Sequence, residues 1–344
     1  MCKLIRVGII GAGNSLVETH IPRLTRIQNV QVSAISNRTI KSAEIVSEKF
    51  KIPVVFSNWM ELVKSDEVDA VMIGTWPYTH KDMVIASLNN GKHVLTQARM
   101  AMNLKQAREM LKISLSHPEL IAQIVPTHTP TIVEEKAIIG LINKGFIGEL
   151  AYIDAVQNNG FYDANESPFW RKDIELSGYN IMSLGQIAEG IIRLFGSFSS
   201  VAATTKLHNP RVVFEDGNSK LATIPDHVEV ICEMGSGITA HLRSSDVVGL
   251  DSSQLLIFGT EGILRFDYDS KTLYGRHKNE KELYQIEIPG QMEEEFDVAD
   301  RFIDAIRGDT DVSHTTFDEG VKYMEFTEAV SISSKYGETI HLPL

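Results

Sequence analysis

The stretch that most constrains the fold is residues 4–13, LIRVGIIGAG. A short apolar run rich in β-branched residues closes on Gly11 and Gly13. It opens directly into Val17, Ile21, Leu24 and Ile27 at helical spacing. A glycine turn between a strand and a helix presents backbone N–H groups and the positive end of the helix dipole, a setting suited to pyrophosphate. Gly11 permits the tight turn. Gly13, followed by Asn14 and Ser15, lets a phosphate approach the backbone. Leu16 stands where G-x-G-x-x-G has its third glycine, a position that serves helix–strand packing more than phosphate contact. Two glycines alone say little; the pattern that follows gives them weight.

That pattern alternates. VQVSAIS (30–36), IPVVF (52–56), VDAVMIG (68–74), KHVLT (92–96) and LIAQIV (120–125) read as strands. Helices lie between them: 41–50; one capped by Ser57 or Asn58; 80–90, ended by Gly91; and one from an Asn103/Gln106 capping box to His117. Such crossovers require a doubly wound parallel sheet. Beyond residue 122 the pattern changes. After a long helix carrying Leu184, Ala188, Ile191 and Phe195, strands follow with little helix between them, and HVEVICEM alternates cleanly. Two helices, about 293–307 and 317–335, close the chain. The expected fold class is α/β. A dinucleotide-binding Rossmann domain spans 1–122. A second α/β domain, 123–344, has a mostly antiparallel open sheet, and the closing helix can pack back on the first domain.

Composition excludes some functions. With 33 basic and 45 acidic residues the formal charge is -12, which argues against nucleic acid. No run reaches membrane-spanning length, and the N-terminus lacks the apolar core of a signal peptide. Cys2 and Cys232 form no metal or redox motif, and no metal site is expected; two reduced thiols fit a cytoplasmic protein. At the end of the second strand, Ser36-Asn37-Arg38 lacks the carboxylate that binds the NAD ribose. All three residues can donate to a 2′-phosphate, so NADP(H) is preferred and NAD(H) is possible.

Nearly the whole chain resembles the glucose–fructose oxidoreductase/inositol dehydrogenase (Gfo/Idh/MocA) family. VGIIGAGNSLVETHIPRL is similar to the family's opening, and VDAVMIGTWPYTHKDMVIASLNNGKHVLT to its fourth strand, histidine loop and G-K-H-V strand. FIGEL to AVQ, FGTEGILRFDY and FDEGVKYMEFTEAVSISSKYG resemble later segments. The resemblance implies hydride transfer between nicotinamide and a carbinol carbon. It implies a sugar-like substrate between the domains and a homo-oligomer formed through the C-terminal sheet. It also implies a catalytic lysine in a Glu-Lys-Pro, but those positions are Gln97, Ala98 and Arg99 here. A second signature of aspartate, histidine and acid becomes Met182, Gln186 and Glu189.

Ala98 can neither take nor give a proton. The candidates to replace the lysine are therefore Arg99, a fixed cation; His128, which titrates near neutrality; Tyr179; and Glu189, either a buried base or simply paired. Thr75, Trp76, His80 and Gln97 join the glycine turn and residues 36–38 as the cofactor set. Tyr162, Trp170, Arg171, Asn180 and Gln186 are the expected substrate residues, a mix of aromatic and polar groups of the kind that binds carbohydrate. Three readings stay open: an oxidoreductase on a sugar, polyol or sugar acid; a glycosidase or lyase that retains its dinucleotide; and a regulator that has lost catalysis.

Overall fold

A computed structural model describes residues 4–126, 132–160, 169–179, 183–213, 218–249, 253–288, 298–312 and 314–344. The chain divides into two compact units, Met1–Pro126 with Asp297–Val321, and Thr127–Phe296 with Lys322–Leu344.

In the first unit six strands form one parallel sheet: β1 (Ile5–Ile10), β2 (Val30–Ser36), β3 (Val54–Val55), β4 (Ala70–Ile73), β5 (His93–Thr96) and β6 (Ala122–Ile124). Their order is β3-β2-β1-β4-β5-β6, so the chain reverses direction across the sheet between β1 and β4. Ligands of such sheets bind at the carboxyl ends of the strands near that reversal. Ile9, Ile35, Val71 and Val94 are fully buried, as expected of strands covered on both faces. Each stabilises the fold by about 1.5–3 kcal/mol relative to an exposed position.

The helices of this unit up to residue 126 are α1 (Ile21–Leu24), which continues a π-helical turn at Leu16–His20, then α2 (Ile40–Phe50), α3 (Trp59–Lys64), α4 (Pro77–Asn89) and α5 (Leu104–Ser116). Of the two possible caps for α3, Asn58 takes the role, accepting from the Met60 N–H at 2.8 Å. Asn103 caps α5 through the Gln106 N–H. Gln106 returns its bond to the Met102 N–H, one residue earlier than a standard capping box.

The second unit contains α6 (Ile132–Asn143), β7 (Leu150–Asn158), α7 (Ile174–Ser177) and α8 (Leu184–Phe195). Strands β8 (Phe198–Lys206), β9 (Arg211–Val213), β10 (Ser219–Leu221), β11 (His227–Met234), β12 (Thr239–Ser245), β13 (Gln254–Gly259), β14 (Gly262–Asp267), β15 (Thr272–His277) and β16 (Tyr284–Ile286) follow. Helix α9 (Val298–Arg307) belongs to the first unit, α10 (Phe317–Tyr336) begins in the first unit and ends in the second, and a short β17 (Ile340–His341) follows in the second. Nine strands make one sheet, β16-β15-β14-β13-β7-β12-β11-β8-β17, antiparallel except for the β7/β12 pair. β9 and β10 form a separate hairpin. Helix α8 lies against β7 and β12. No described helix is long and apolar enough to cross a membrane.

Candidate functional site

The turn after β1 is built by three constraints. Gly11 has φ +76°, and a Cβ there would lie 2.4 Å from Thr75 Cγ2, so only glycine fits. The Gly11 N–H donates to the Ser36 carbonyl at 2.9 Å. The Ala12 N–H donates to Asn37 Oδ1 at 2.7 Å. Gly13, Asn14 and Ser15 are exposed, and the position of a Gly13 Cβ is open except for the Gly74 carbonyl at 4.0 Å. This open backbone fits a pyrophosphate.

Leu16 is buried and packs against Gly74, where a Cβ would come within 2.5 Å of the leucine. The glycine missing from the turn is compensated by a glycine after β4, a pairing visible in the sequence only as the end of VDAVMIG.

Around this turn the structure gathers several of the expected cofactor residues. Gln97 Nε2 donates to Ser15 Oγ at 3.1 Å, joining the loop after β5 to the glycine turn. The Arg38 guanidinium lies 5.8 Å from the Trp76 ring centroid. The Thr75 hydroxyl accepts from Thr79 at 2.7 Å. Two of the residues at the end of β2 have structural duties. Ser36 is buried, and Asn37 spends its carbonyl oxygen on Ala12, keeping only its amide N–H groups for a ligand. Arg38 is exposed.

His80 is fully buried. Its Nε2 lies 2.9 Å from the Thr75 carbonyl, and its Nδ1 lies 2.9 Å from the Arg99 carbonyl and 3.3 Å from that of Met100. Burial pushes its pKa down against the pull of these carbonyls. The imidazole ties the loop after β4 to the loop holding Ala98 and Arg99, both of which are half-buried. Lys92, of the G-K-H sequence, is also structural; its ammonium donates to the Ser65 and Val68 carbonyls at 2.9 and 2.7 Å.

In the second unit Glu189 is buried and meets Arg193 Nη1 at 2.5 Å, and Arg193 Nε donates to Glu135 at 2.8 Å. Glu189 thus has the ion-pair partner that one of its two sequence-based roles calls for. Gln186 is half-buried on the same helix. The Arg171 guanidinium stacks 5.0 Å from the Trp170 ring centroid. Neighbouring Lys172 is buried and bonded to Asp246, whose other oxygen accepts from Asn159 at 2.9 Å, a network that sequence reading did not single out. Tyr179, 39% exposed, lines a cavity of about 340 Å³ with Thr205, Thr223, Ser331, Ser334 and Lys335. His128, Tyr162 and Asn180 lie outside the described residues. Among the described residues no cluster of His, Cys, Asp and Glu could hold a metal.

Comparison with known proteins gives a consistent result. Residues 5–122 match the model of the oxidoreductase family with an NAD-binding Rossmann fold, and residues 136–265 match the GFO/IDH/MocA C-terminal domain. A trans-1,2-dihydrobenzene-1,2-diol dehydrogenase from Xenopus laevis is 25% identical over 238 residues, 68% of this chain and 66% of that one. A scyllo-inositol 2-dehydrogenase (NADP(+)) from Bacillus subtilis (strain 168) is 28% identical over 124 residues, 36% of this chain and 38% of the relative. The solved structure of a levoglucosan dehydrogenase, in complex with NADH and L-sorbose, superimposes with a TM-score of 0.87 at 17% identity, covering 98% of this chain and 99% of that one. That last likeness is one of fold.

Proposed function

The chain belongs to the Gfo/Idh/MocA family of NAD-binding oxidoreductases, and on that premise we propose that it transfers hydride between NADP(H) and a hydroxyl-bearing carbon of a sugar, polyol or sugar acid. The observation that carries this reading is the open glycine turn, clamped by Asn37 and joined through Ser15 to Gln97. Gly11, Gly13, Asn14 and Ser15 would hold the pyrophosphate, and Arg38 with the Asn37 amide the 2′-phosphate. When bound, the nicotinamide supplies or accepts the hydride. The choice of NADP(H) rests on the absence of a carboxylate in Ser36-Asn37-Arg38. The substrate class rests on the diol and inositol dehydrogenases among the relatives.

The protein's own part is to bind the substrate and manage one proton. Arg99 is the cation assigned to the substrate oxygen, since a guanidinium polarises a carbonyl or anchors a carboxylate without exchanging protons at neutral pH. His128 is assigned the proton on sequence grounds, and Trp170, Arg171 and Gln186 the substrate. Self-association through the C-terminal sheet is part of the same reading.

A screen of purified protein against polyols, sugars and sugar acids, read by nicotinamide absorbance with each dinucleotide, tests this. The expected result is turnover with at least one substrate, faster with the phosphorylated dinucleotide and lowered about 10²-fold or more in kcat/KM by Arg99→Ala. Dinucleotide binding with no turnover on any substrate would overturn the oxidoreductase reading.

A further inference from the structure

The proposed reaction leaves the cavity of about 340 Å³ in the second unit without a use. Five hydroxyls and one ammonium face it: those of Tyr179, Thr205, Thr223, Ser331, Ser334 and Lys335. Ile174, Ile224 and Pro225 supply apolar wall. Trp170, Arg171 and Gln186, the residues assigned to the substrate, do not line it. Tyr179, a sequence candidate to replace the lost lysine, is a wall of this cavity.

Hydrogen bonds fix the walls to one another. Thr223 Oγ1 accepts from the Ile174 N–H at 2.8 Å, and the Thr223 N–H donates to the Lys172 carbonyl at 2.8 Å. These bonds join the segment before β11 to the start of α7. On the opposite side the last turns of α10 are tied to β8. The Ala203 N–H donates to Ser333 Oγ at 2.9 Å, and the Thr205 and Ser334 hydroxyls lie 2.6 Å apart. A cavity held open in this way costs a ligand little ordering.

The lining selects the ligand. Among the described residues that form it there is no carboxylate. A hydroxyl donates one hydrogen bond and accepts two, so a ring of hydroxyls is matched by a molecule whose own groups do both. Lys335 stands in the last turn of α10, where the negative end of the helix offsets its charge. Its ammonium therefore suits a ligand oxygen that needs a donor better than a free anion that needs a charge. The Tyr179 ring and the apolar wall take a C–H face. The volume lies at the small end of the range for ligand pockets, about 300–1,000 Å³.

We propose that this cavity binds one unphosphorylated monosaccharide or acyclic polyol, at a site apart from the substrate's. The proposal goes beyond the oxidoreductase reading and does not depend on it, since binding here needs neither dinucleotide nor turnover.

Protection of Lys335 from acetylation, read by mass spectrometry of the full chain without dinucleotide, tests it. The probes are a panel of pentoses, hexoses and hexitols. Lys335 is exposed, as is Lys49 of the first unit, which serves as the reference. At least one probe at saturation should slow acetylation of Lys335 about fivefold or more and leave Lys49 unchanged. Ser331→Trp, which fills the cavity, should abolish the protection. Ser331→Ala, which removes one hydroxyl, should raise the half-protecting concentration about fivefold. A cooperative thermal transition near the parental midpoint shows that each variant folds. Failure of every probe to protect Lys335 overturns the proposal. So does parental protection in Ser331→Trp or, should that variant not fold, in Ser331→Ala. Either outcome leaves the oxidoreductase reading standing, because that reading is decided by nicotinamide absorbance.

Discussion

Leu16 fills the space that a side chain on Gly74 would need: a Cβ at Gly74 would lie 2.5 Å from Leu16 Cδ1 and 2.6 Å from the Gly11 carbonyl oxygen. The helix after the glycine turn and the end of β4 are thus fitted to each other. Gly74→Ala should cost about 1–3 kcal/mol through overpacking and weaken dinucleotide binding by displacing Gly11. Leu16→Ala combined with Gly74→Ala should recover only part of the loss, because the carbonyl clash persists. Urea midpoints and dinucleotide titration measure both effects; a Gly74→Ala midpoint equal to the parent's would contradict the fit.

His80 offers a second test, with a defined pH sign. Its folded pKa is lowered by burial, so between that value and the ordinary 6.5 the unfolded chain binds the extra proton. Stability from His80 is therefore present above about pH 6.5 and falls as the solution is acidified below it. His80→Gln should lose this component, giving a shallower acid limb in urea denaturation than the parent. His80→Ala removes the one N–H that a neutral imidazole donates to the carbonyl of residue 75 or of residue 99. It should cost about 1–3 kcal/mol and raise KM for the dinucleotide, because the loop with Gln97 and Arg99 is no longer tied down. An unchanged acid limb in His80→Gln would refute the assignment.

The parallel sheet, its helices and the glycine turn were legible from residues 4–125 because apolar period and turn chemistry are local properties. Most C-terminal strands were legible for the same reason, as the alternation in HVEVICEM shows. What escaped was pairing across long separations. Asn37 reads as a ligand donor, yet its oxygen is taken by Ala12, 25 residues away. Glu189 reads as a lone surviving acid until Glu135 and Arg193 come beside it. The strands β15, β16 and β17 and the β9/β10 hairpin were not foreseen, being short or weakly alternating.

Arg38 is exposed and free to turn from Trp76 toward a 2′-phosphate. Charge-assisted bonds to phosphate are among the stronger side-chain contacts. Arg38→Ala should raise the Kd for the phosphorylated dinucleotide about tenfold and leave that for NAD(H) within about twofold. Fluorescence titration with both dinucleotides measures the ratio. Equal weakening of the two would mean that Arg38 serves the adenine instead, and NADP(H) preference would lose its main support.

Glu189 sits in a buried ion-pair cluster with Arg193 and Glu135. The Arg193 side chain is 4% exposed and lies between two carboxylates that are equally buried. Removing the cation with Arg193→Met strands both carboxylates in a medium that solvates them poorly, at a cost of about 3–5 kcal/mol. Glu189→Gln keeps a polar group of the same shape and leaves Arg193 paired with Glu135, so its cost should be smaller. If Glu189 serves only this ion pair, Glu189→Gln should shift the thermal midpoint while holding kcat and its pH profile near the parental values. A base would behave oppositely: kcat would collapse, and one limb of the pH profile would vanish in a protein of near-parental stability. Measuring both quantities on the same two variants therefore separates a structural carboxylate from a catalytic one.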